Sequence, residues 1–120
     1  LVPGVFTPTE VRRAMGLGCP LVKLFPAAAL GAGYWRSLRG PLSPTPEHPW
    51  PLCIAAGGLG PADVLPWLAA GVNAVALGSS LLAGGGGQLQ LEPLERLLAS
   101  LPRPELTRGC TAPADAADGR

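Results

Sequence analysis

Short apolar stretches recur along the chain and predict four β-strands. They read "LVPGV" at 1–5, "PLVKLF" at 20–25, "LCIAAGG" at 52–58 and "NAVALGSSLL" at 73–82. The second stretch is apolar at positions facing both sides of a sheet, which is typical of parallel strands covered by helices. The pattern therefore predicts a parallel sheet.

Helix signals follow these strands. Thr7, Pro8 and Glu10 form a helix start in which Thr7 is the cap and Glu10 stands three residues later. Further helices are predicted at 33–40, 60–71 and 91–101, with a loop in the proline-rich segment 41–51. The helix at 33–40 should end at Gly40. Pro66 should kink the helix at 60–71 or delay its start, and leucines line one side of the helix at 91–101.

Four successive β-α units predict an α/β fold with parallel strands. Such a set is half of a (β/α)8 TIM barrel, and an open four-stranded sheet is the alternative. The barrel is favoured because glycines and polar residues follow the strand ends, where barrels place their sites. We expect this half-barrel to occupy residues 1–101 and a disordered polar tail to occupy 102–120. The chain opens directly on a strand at Leu1, so we expect it to be a piece of a longer protein.

Composition narrows the classes of partner. The formal net charge of +1 gives no electrostatic reason to expect nucleic acid or an anionic membrane. No apolar run reaches the roughly 18–20 residues that span a bilayer. Three dispersed cysteines indicate neither a zinc motif nor a disulfide framework, and no metal-ligand cluster is present. Reduced thiols and the lack of a visible signal peptide predict a cytoplasmic protein.

Lys23 is the only lysine in the chain, and it lies between Val22 and Leu24 in an apolar strand. A neutral lysine amine can form a Schiff base with a ketone, and desolvation by apolar neighbours favours the neutral form. The alternative is a lysine whose stem covers apolar surface while its amine reaches water.

Two glycine-rich segments follow successive strands. Gly57 and Gly58 end the third strand, and Gly78, Ser79 and Ser80 follow the fourth. Glycines allow backbone N–H groups to approach an anion closely, but tight turns need glycine as well. Because barrel phosphate sites use the loops after two successive strands, the pair favours a phosphate site over plain turns.

These motifs resemble one family. "PGVFTPTE", "VKLFPA", "GGL" and "LGSSLL" occur in the order and spacing of the 2-keto-3-deoxy-6-phosphogluconate and 4-hydroxy-2-oxoglutarate aldolases, in their C-terminal half. The resemblance covers about residues 1–82 and implies the last four β-α units of a class I aldolase barrel. It also implies an enzyme of carbohydrate metabolism, in the Entner-Doudoroff reactions, that needs no cofactor and forms a trimer when intact.

The resemblance assigns a role to seven residues. Lys23 corresponds to the Schiff-base lysine. The remaining six correspond to positions that bind phosphate or line the substrate pocket: Gly57, Gly58, Ser79, the adjacent Gly78, and Pro3 with Gly4. The implied lyase reaction cleaves 2-keto-3-deoxy-6-phosphogluconate to pyruvate and glyceraldehyde 3-phosphate, or 4-hydroxy-2-oxoglutarate to pyruvate and glyoxylate.

Two departures bear on the substrate and the rate. Ala56 stands where the family commonly has a threonine that faces the substrate, and the 2-keto-3-deoxy-6-phosphogalactonate aldolases are apolar there too. The family's proton-shuttling glutamate and carboxylate-binding arginine belong to the first half of the barrel. Proton transfer contributes about 10²- to 10⁴-fold in rate, so this chain alone should be weak or inactive. The rival predictions are a 2-keto-3-deoxy-6-phosphogalactonate aldolase, a non-catalytic phosphate-binding half-barrel, or another phosphosugar barrel such as an isomerase or epimerase.

Overall fold

Four parallel strands form the centre of the molecule. In a computed structural model that describes residues 1–83 and 88–101, they lie side by side in chain order. The strands are β1 (Gly4–Val5), β2 (Leu21–Leu24), β3 (Leu52–Ala56) and β4 (Ala74–Ala76). The predicted parallel α/β fold is confirmed, and its sequential strand order is that of consecutive units in a (β/α)8 barrel.

Helices connect the strands and continue the chain beyond them. They are α1 (Pro8–Gly16), α2 (Tyr34–Leu42), α3 (Val64–Ala69) and α4 (Leu91–Ser100). The predicted start of α1 is confirmed, since the Glu10 N–H donates to Thr7 Oγ1 at 3.3 Å and the Thr7 N–H donates to Glu10 Oε2 at 2.9 Å. A single 3-10 turn precedes α3, so that Pro66 lies in the first turn of the α-helix. The α-helix therefore starts late, as this proline predicts.

Helix α2 is longer than predicted, because it ends at Leu42 instead of Gly40. The extra residues bury the Leu42 side chain in the core. Pro41 lies close to the helix end, where its missing N–H removes only one helical hydrogen bond. Ser43 then takes the left-handed conformation, with φ of 45°, and its N–H donates to the carbonyls of Arg39 and Gly40.

The segment predicted as one long fourth strand is shorter and more irregular than expected. β4 stops at Ala76, because only its three residues have partners on β3, at 54–56. A 3-10 turn at Ser79–Leu81 follows, and then a small antiparallel pair of β5 (Leu82–Ala83) and β6 (Gln88–Leu89), which the sequence pattern did not predict. The strand prediction over 73–82 was therefore wrong in its second half.

The core lies on one face of the sheet. Val22, Leu24, Cys53 and Ala55 alternate along β2 and β3 and pack in one buried cluster with side chains of α1 and α2, including Trp35. The intervening residues point to the opposite face, which no described helix covers. We call this the open face; it carries Leu21, Lys23, Leu52, Ile54 and Ala74. A sheet with helices on one face only is what the predicted half-barrel requires, since the other face of a barrel sheet lines its interior.

The C-terminal part follows the sequence pattern only partly. Among the leucines of the predicted stripe on α4 and just after it, Leu97 is buried, Leu94 and Leu101 are half-buried, and Leu91 and Leu98 are exposed. No described helix has the length and apolar character needed to cross a membrane. The tail predicted at 102–120 lies outside the described residues.

Candidate functional site

Lys23 is the third residue of β2, and its side chain projects from the open face. β1 flanks it directly: Gly4 is its register partner, and the Lys23 N–H donates to the Pro3 carbonyl at 2.9 Å. On the other side its partner is Ile54 of β3. The side chain is exposed, so the desolvation expected from its apolar neighbours is not provided by the described residues. Val22 and Leu24 face the helices, and Lys23 faces away from them.

Phe25 lies just beyond β2 and accompanies the lysine. Because side chains alternate along a strand, residues two apart share a face, and the Lys23 Nζ lies 5.1 Å from the centroid of the Phe25 ring. Phe25 also lines a cleft of about 250 Å³ at the ends of β3 and β4. The aromatic ring therefore stands between the amine and this cleft.

The first wall of the cleft is the segment after β3, which needs glycine. Gly57 has φ of +95° and Gly58 has φ of +76°, a region that other residues rarely adopt. A Cβ at Gly57 would lie 2.7 Å from the Phe25 ring, and one at Gly58 would lie 2.9 Å from the Cβ of Ala28. The chain also closes on itself here, because the Ala28 N–H donates to the Gly57 carbonyl at 3.1 Å.

The second wall of the cleft is the segment after β4. Leu77, Gly78 and Ser79 line it, together with Ala76 from the end of the strand. Among the described residues, no protein acceptor pairs with the backbone N–H groups of Gly58 and Ser79. Two N–H donors from different β-α units thus remain available at one cleft, an arrangement that suits an anion.

Charge is sparse around this cleft. Its lining contains glycines, alanines, leucines, Phe25 and Ser79, with no acidic or basic side chain. The nearby loop acid Asp63 is already engaged, since its Oδ2 accepts from the Gly60 N–H at 2.7 Å. No group of three or more potential metal ligands lies together within residues 1–83 and 88–101. The described residues therefore offer a nucleophile and N–H donors, but no general base at the cleft.

The predicted site residues fall into two adjacent groups. Lys23, Pro3 and Gly4 meet at the β1–β2 pair, and the four predicted phosphate-site residues Gly57, Gly58, Gly78 and Ser79 line the cleft. Pro3 and Gly4 additionally line a separate apolar groove of about 210 Å³ between β1 and α1. Phe25 lies next to both groups, near the Lys23 amine and in the lining of the cleft. The sequence analysis missed it, although a residue two positions after Lys23 on a strand is expected on the same face as the lysine.

Comparison with known proteins identifies the family of this chain. The family model for KDPG and KHG aldolase matches residues 1–96. This chain belongs to the KDPG and KHG aldolase family. The predicted family is thereby confirmed, over a stretch that contains every residue of the two groups described above.

Two curated relatives of this aldolase-family chain and one solved structure have been compared with it individually. It is 39% identical over 85 residues to the probable 2-dehydro-3-deoxy-6-phosphogalactonate aldolase of Rhizobium meliloti, covering 70% of this chain and 37% of that protein. It is 33% identical over 84 residues to the 2-dehydro-3-deoxy-6-phosphogalactonate aldolase of Escherichia coli, covering 69% of this chain and 38% of that protein. A solved structure described as "Native KDPGal structure" superposes with a TM-score of 0.58 at 27% identity, over 82% of this chain and 49% of that one. The chain thus spans less than half of the length of each of these relatives.

Proposed function

We propose that this chain carries the Schiff-base and phosphate-binding part of a class I aldolase. The substrate class is a 2-keto-3-deoxy-6-phospho sugar acid, and the products are pyruvate and glyceraldehyde 3-phosphate. The single observation that carries the proposal is the placement of Lys23 and Phe25 next to the glycine-lined cleft. Membership of an aldolase family supports it independently.

Lys23 supplies the covalent chemistry in this proposal. Its neutral amine adds to the ketone carbon of the substrate, and loss of water leaves an iminium. The bond between C3 and C4 then breaks, its electron pair moves into the iminium to give an enamine, and the C4 hydroxyl proton leaves to a base. The aldehyde departs, the enamine is protonated at C3, and water hydrolyses the imine to release pyruvate and the free lysine.

The cleft holds the phosphate at the other end of the substrate. The N–H groups of Gly58 and Ser79, which have no acceptor among the described residues, suit an anion, and the absence of side chains at Gly57, Gly58 and Gly78 allows close approach. Binding energy at a group remote from the reacting carbons positions the ketone against the amine. Phe25 provides the apolar wall between the two ends.

The proton acceptor is missing from the described part of the site. Glu10 is bound to the backbone at the start of α1, and Asp63 is bound to Gly60, so neither carboxylate lines the cleft. In this proposal the base comes from the part of the barrel that the relatives have and this chain does not span. The expected loss is about 10²- to 10⁴-fold in rate when that part is absent.

We further propose the galactonate-type substrate over the gluconate type. Ala56 lies at the end of β3, is buried and lines the cleft, so it presents a methyl group where a threonine would present a hydroxyl. The two curated relatives described above are both named as phosphogalactonate aldolases, which supports the same choice. Parallel assays with the two epimeric substrates, on the chain supplied with the remaining barrel half, decide between them.

Reductive trapping tests the Schiff base. The chain is incubated with pyruvate and borohydride, its intact mass is measured, and any adduct is mapped by peptide digestion. We expect one reduced pyruvyl adduct on Lys23 and none there in Lys23→Arg, which keeps the charge but lacks the nucleophile. Mapping is needed because the N-terminal α-amino group of the expressed protein is a second amine that pyruvate can modify.

Labelling of the N-terminal amine alone, both with and without the remaining barrel half, would end the Schiff-base proposal. The candidate that would then stand is a non-catalytic phosphate-binding half-barrel or a phosphosugar isomerase or epimerase. The exposure of Lys23 and its position outside the cleft lining favour that second candidate. It predicts binding of inorganic phosphate at the cleft, with no adduct on Lys23 at any pyruvate concentration.

A further inference from the structure

Ser80 connects the two walls of the cleft. Its Oγ donates to the carbonyl of Leu59 at 2.7 Å, and Leu59 belongs to the segment that follows β3. A Cβ built on Gly60 would lie 3.8 Å from the Cβ of Ser80, so the two segments run close together at this point. Within the described residues, this is the single side-chain hydrogen bond between the segments 57–60 and 78–80.

The first wall has its own supports and the second has few. The segment 57–60 is held at one end by the hydrogen bond from Ala28 to Gly57 and at the other by that from Gly60 to Asp63. The segment 78–80 closes one 3-10 turn through the bond from Leu81 to Gly78, and β4 pairs with β3 only as far as Ala76, so no backbone hydrogen bond among the described residues joins this segment to the first wall. The Ser80 hydroxyl supplies that missing link.

We propose that Ser80 is a positioning residue of the phosphate site, and this rests on the function proposed above. Its hydroxyl holds the segment 78–80 against the segment 57–60, so that the N–H groups of Ser79 and Gly58 converge on one phosphate group. The Ser80 hydroxyl donates no hydrogen bond to the ligand, because its hydrogen is committed to Leu59.

The effect on affinity follows from the energy of one hydrogen bond. Loss of a typical intramolecular hydrogen bond changes an equilibrium by about three- to tenfold. When that bond pre-organises two donors, the change is expected in the dissociation constant for phosphate. The global unfolding temperature should change no more than for a comparable bond elsewhere.

Phosphate titration of ¹⁵N-labelled protein tests the proposal. Inorganic phosphate is added while the amide signals of Gly58 and Ser79 are followed by NMR. Ser80→Val and Ser80→Thr are the matched pair, since they share a shape and differ in the hydroxyl. Ser37→Ala is the control for a lost hydroxyl, because the Ser37 Oγ makes an equivalent 2.7 Å bond to the Tyr34 carbonyl, in α2. The unfolding temperature of each variant is measured without phosphate.

We expect Ser80→Val to weaken phosphate binding about three- to tenfold, while Ser80→Thr and Ser37→Ala bind as the wild type does. Equal binding by Ser80→Val and Ser80→Thr would overturn the positioning role and leave the proposed aldolase function intact. A wild type whose Gly58 and Ser79 signals do not respond to phosphate would overturn the positioning role together with the phosphate site. A wild type that binds phosphate in a Ser80-dependent way but traps no pyruvate on Lys23 would retain the role of Ser80 and reject the Schiff base.

Discussion

At the scale of single residues, Glu10 is shaped by backbone donors. Its Oε2 accepts from the N–H groups of Phe6 at 2.7 Å and Thr7 at 2.9 Å. These hydrogen bonds hold the pKa of Glu10 below its ordinary value of 4.5, and the bond from the Thr7 N–H has the larger effect. A carboxylate stabilised in this way is a poor proton acceptor, which agrees with its structural role at the start of α1.

This pKa shift predicts a pH-dependent contribution to stability. Because the folded-state pKa is lowered, the ionised form stabilises the fold above the unfolded pKa, and the contribution is lost as pH falls through the folded pKa. Glu10→Gln should therefore lower the free energy of unfolding at neutral pH and cost progressively less in acid. Urea unfolding across this pH range measures it, with the exposed Glu95→Gln as the charge control. A penalty for Glu10→Gln that stays constant down to the acid limit would contradict the assignment.

Cys53 illustrates the opposite effect of burial. Its side chain is fully buried in β3, and desolvation raises the pKa of the thiol to about 12. We expect iodoacetamide to leave Cys53 unmodified in the native protein and to modify it in urea, whereas the half-buried Cys19 reacts before Cys53 does. Peptide mapping of the labelled sites measures this. Native-state labelling of Cys53 as fast as that of Cys19 would show that the core opens readily around β3.

At the scale of elements, Gly57 in the turn after β3 can be compared with Gly71, which follows α3. Gly57 and Gly71 have nearly the same positive φ, +95° and +98°. A Cβ at Gly57 meets the Phe25 ring and lies 3.0 Å from the Cα of Pro26, whereas a Cβ at Gly71 has nothing within 4 Å. The pair therefore separates backbone strain from steric overlap.

Gly71→Ala should cost about 1 kcal/mol of unfolding free energy, which is the cost of backbone strain. Gly57→Ala should cost about 1–3 kcal/mol more, because of overpacking against Phe25 and Pro26. It should also displace the Phe25 ring from the cleft. Denaturant unfolding of both variants, with the chemical shifts of the Phe25 ring as a second readout, tests this. Equal costs together with an unmoved ring would show that the turn relaxes without disturbing the site.

The elements also show how far the sequence carries the prediction. The capping box of α1, the parallel strands and the glycines of the cleft all follow from local chemistry, and the sequence predicts them. The exposure of Lys23 does not follow, because apolar neighbours in sequence lie on the opposite face of a strand and give no information about what covers the lysine. The sequence places Ser80 in the predicted phosphate segment but does not predict its hydrogen bond to Leu59, for a related reason. Its partner Leu59 is 21 positions away, and only the folded sheet brings them together.

At the scale of the whole molecule, the open face is the unusual feature. Leu52 is 54% exposed beside Lys23 and Ile54, on a sheet whose opposite face is buried. β1 and β4 are both edge strands in the described sheet, and edge strands with apolar surface favour association. The trimer implied by the family resemblance stays a prediction, since a single chain is described. A bare sheet face predicts self-association of some kind for this chain alone.

Leu52→Glu tests whether this association uses the open face. Burying a leucine contributes about 1.5–3 kcal/mol, so a charge at position 52 should weaken self-association at least about tenfold. Leu98→Glu is the matched control, because Leu98 is 59% exposed on α4, among the helices. Sedimentation velocity over a range of concentrations measures both variants against the wild type. If Leu52→Glu and Leu98→Glu weaken association equally, contact is nonspecific, and if the wild type stays monomeric throughout, the open face is stable in water. The expected result is that self-association is lost in Leu52→Glu alone. This would show that the chain associates through the open face, which carries Lys23.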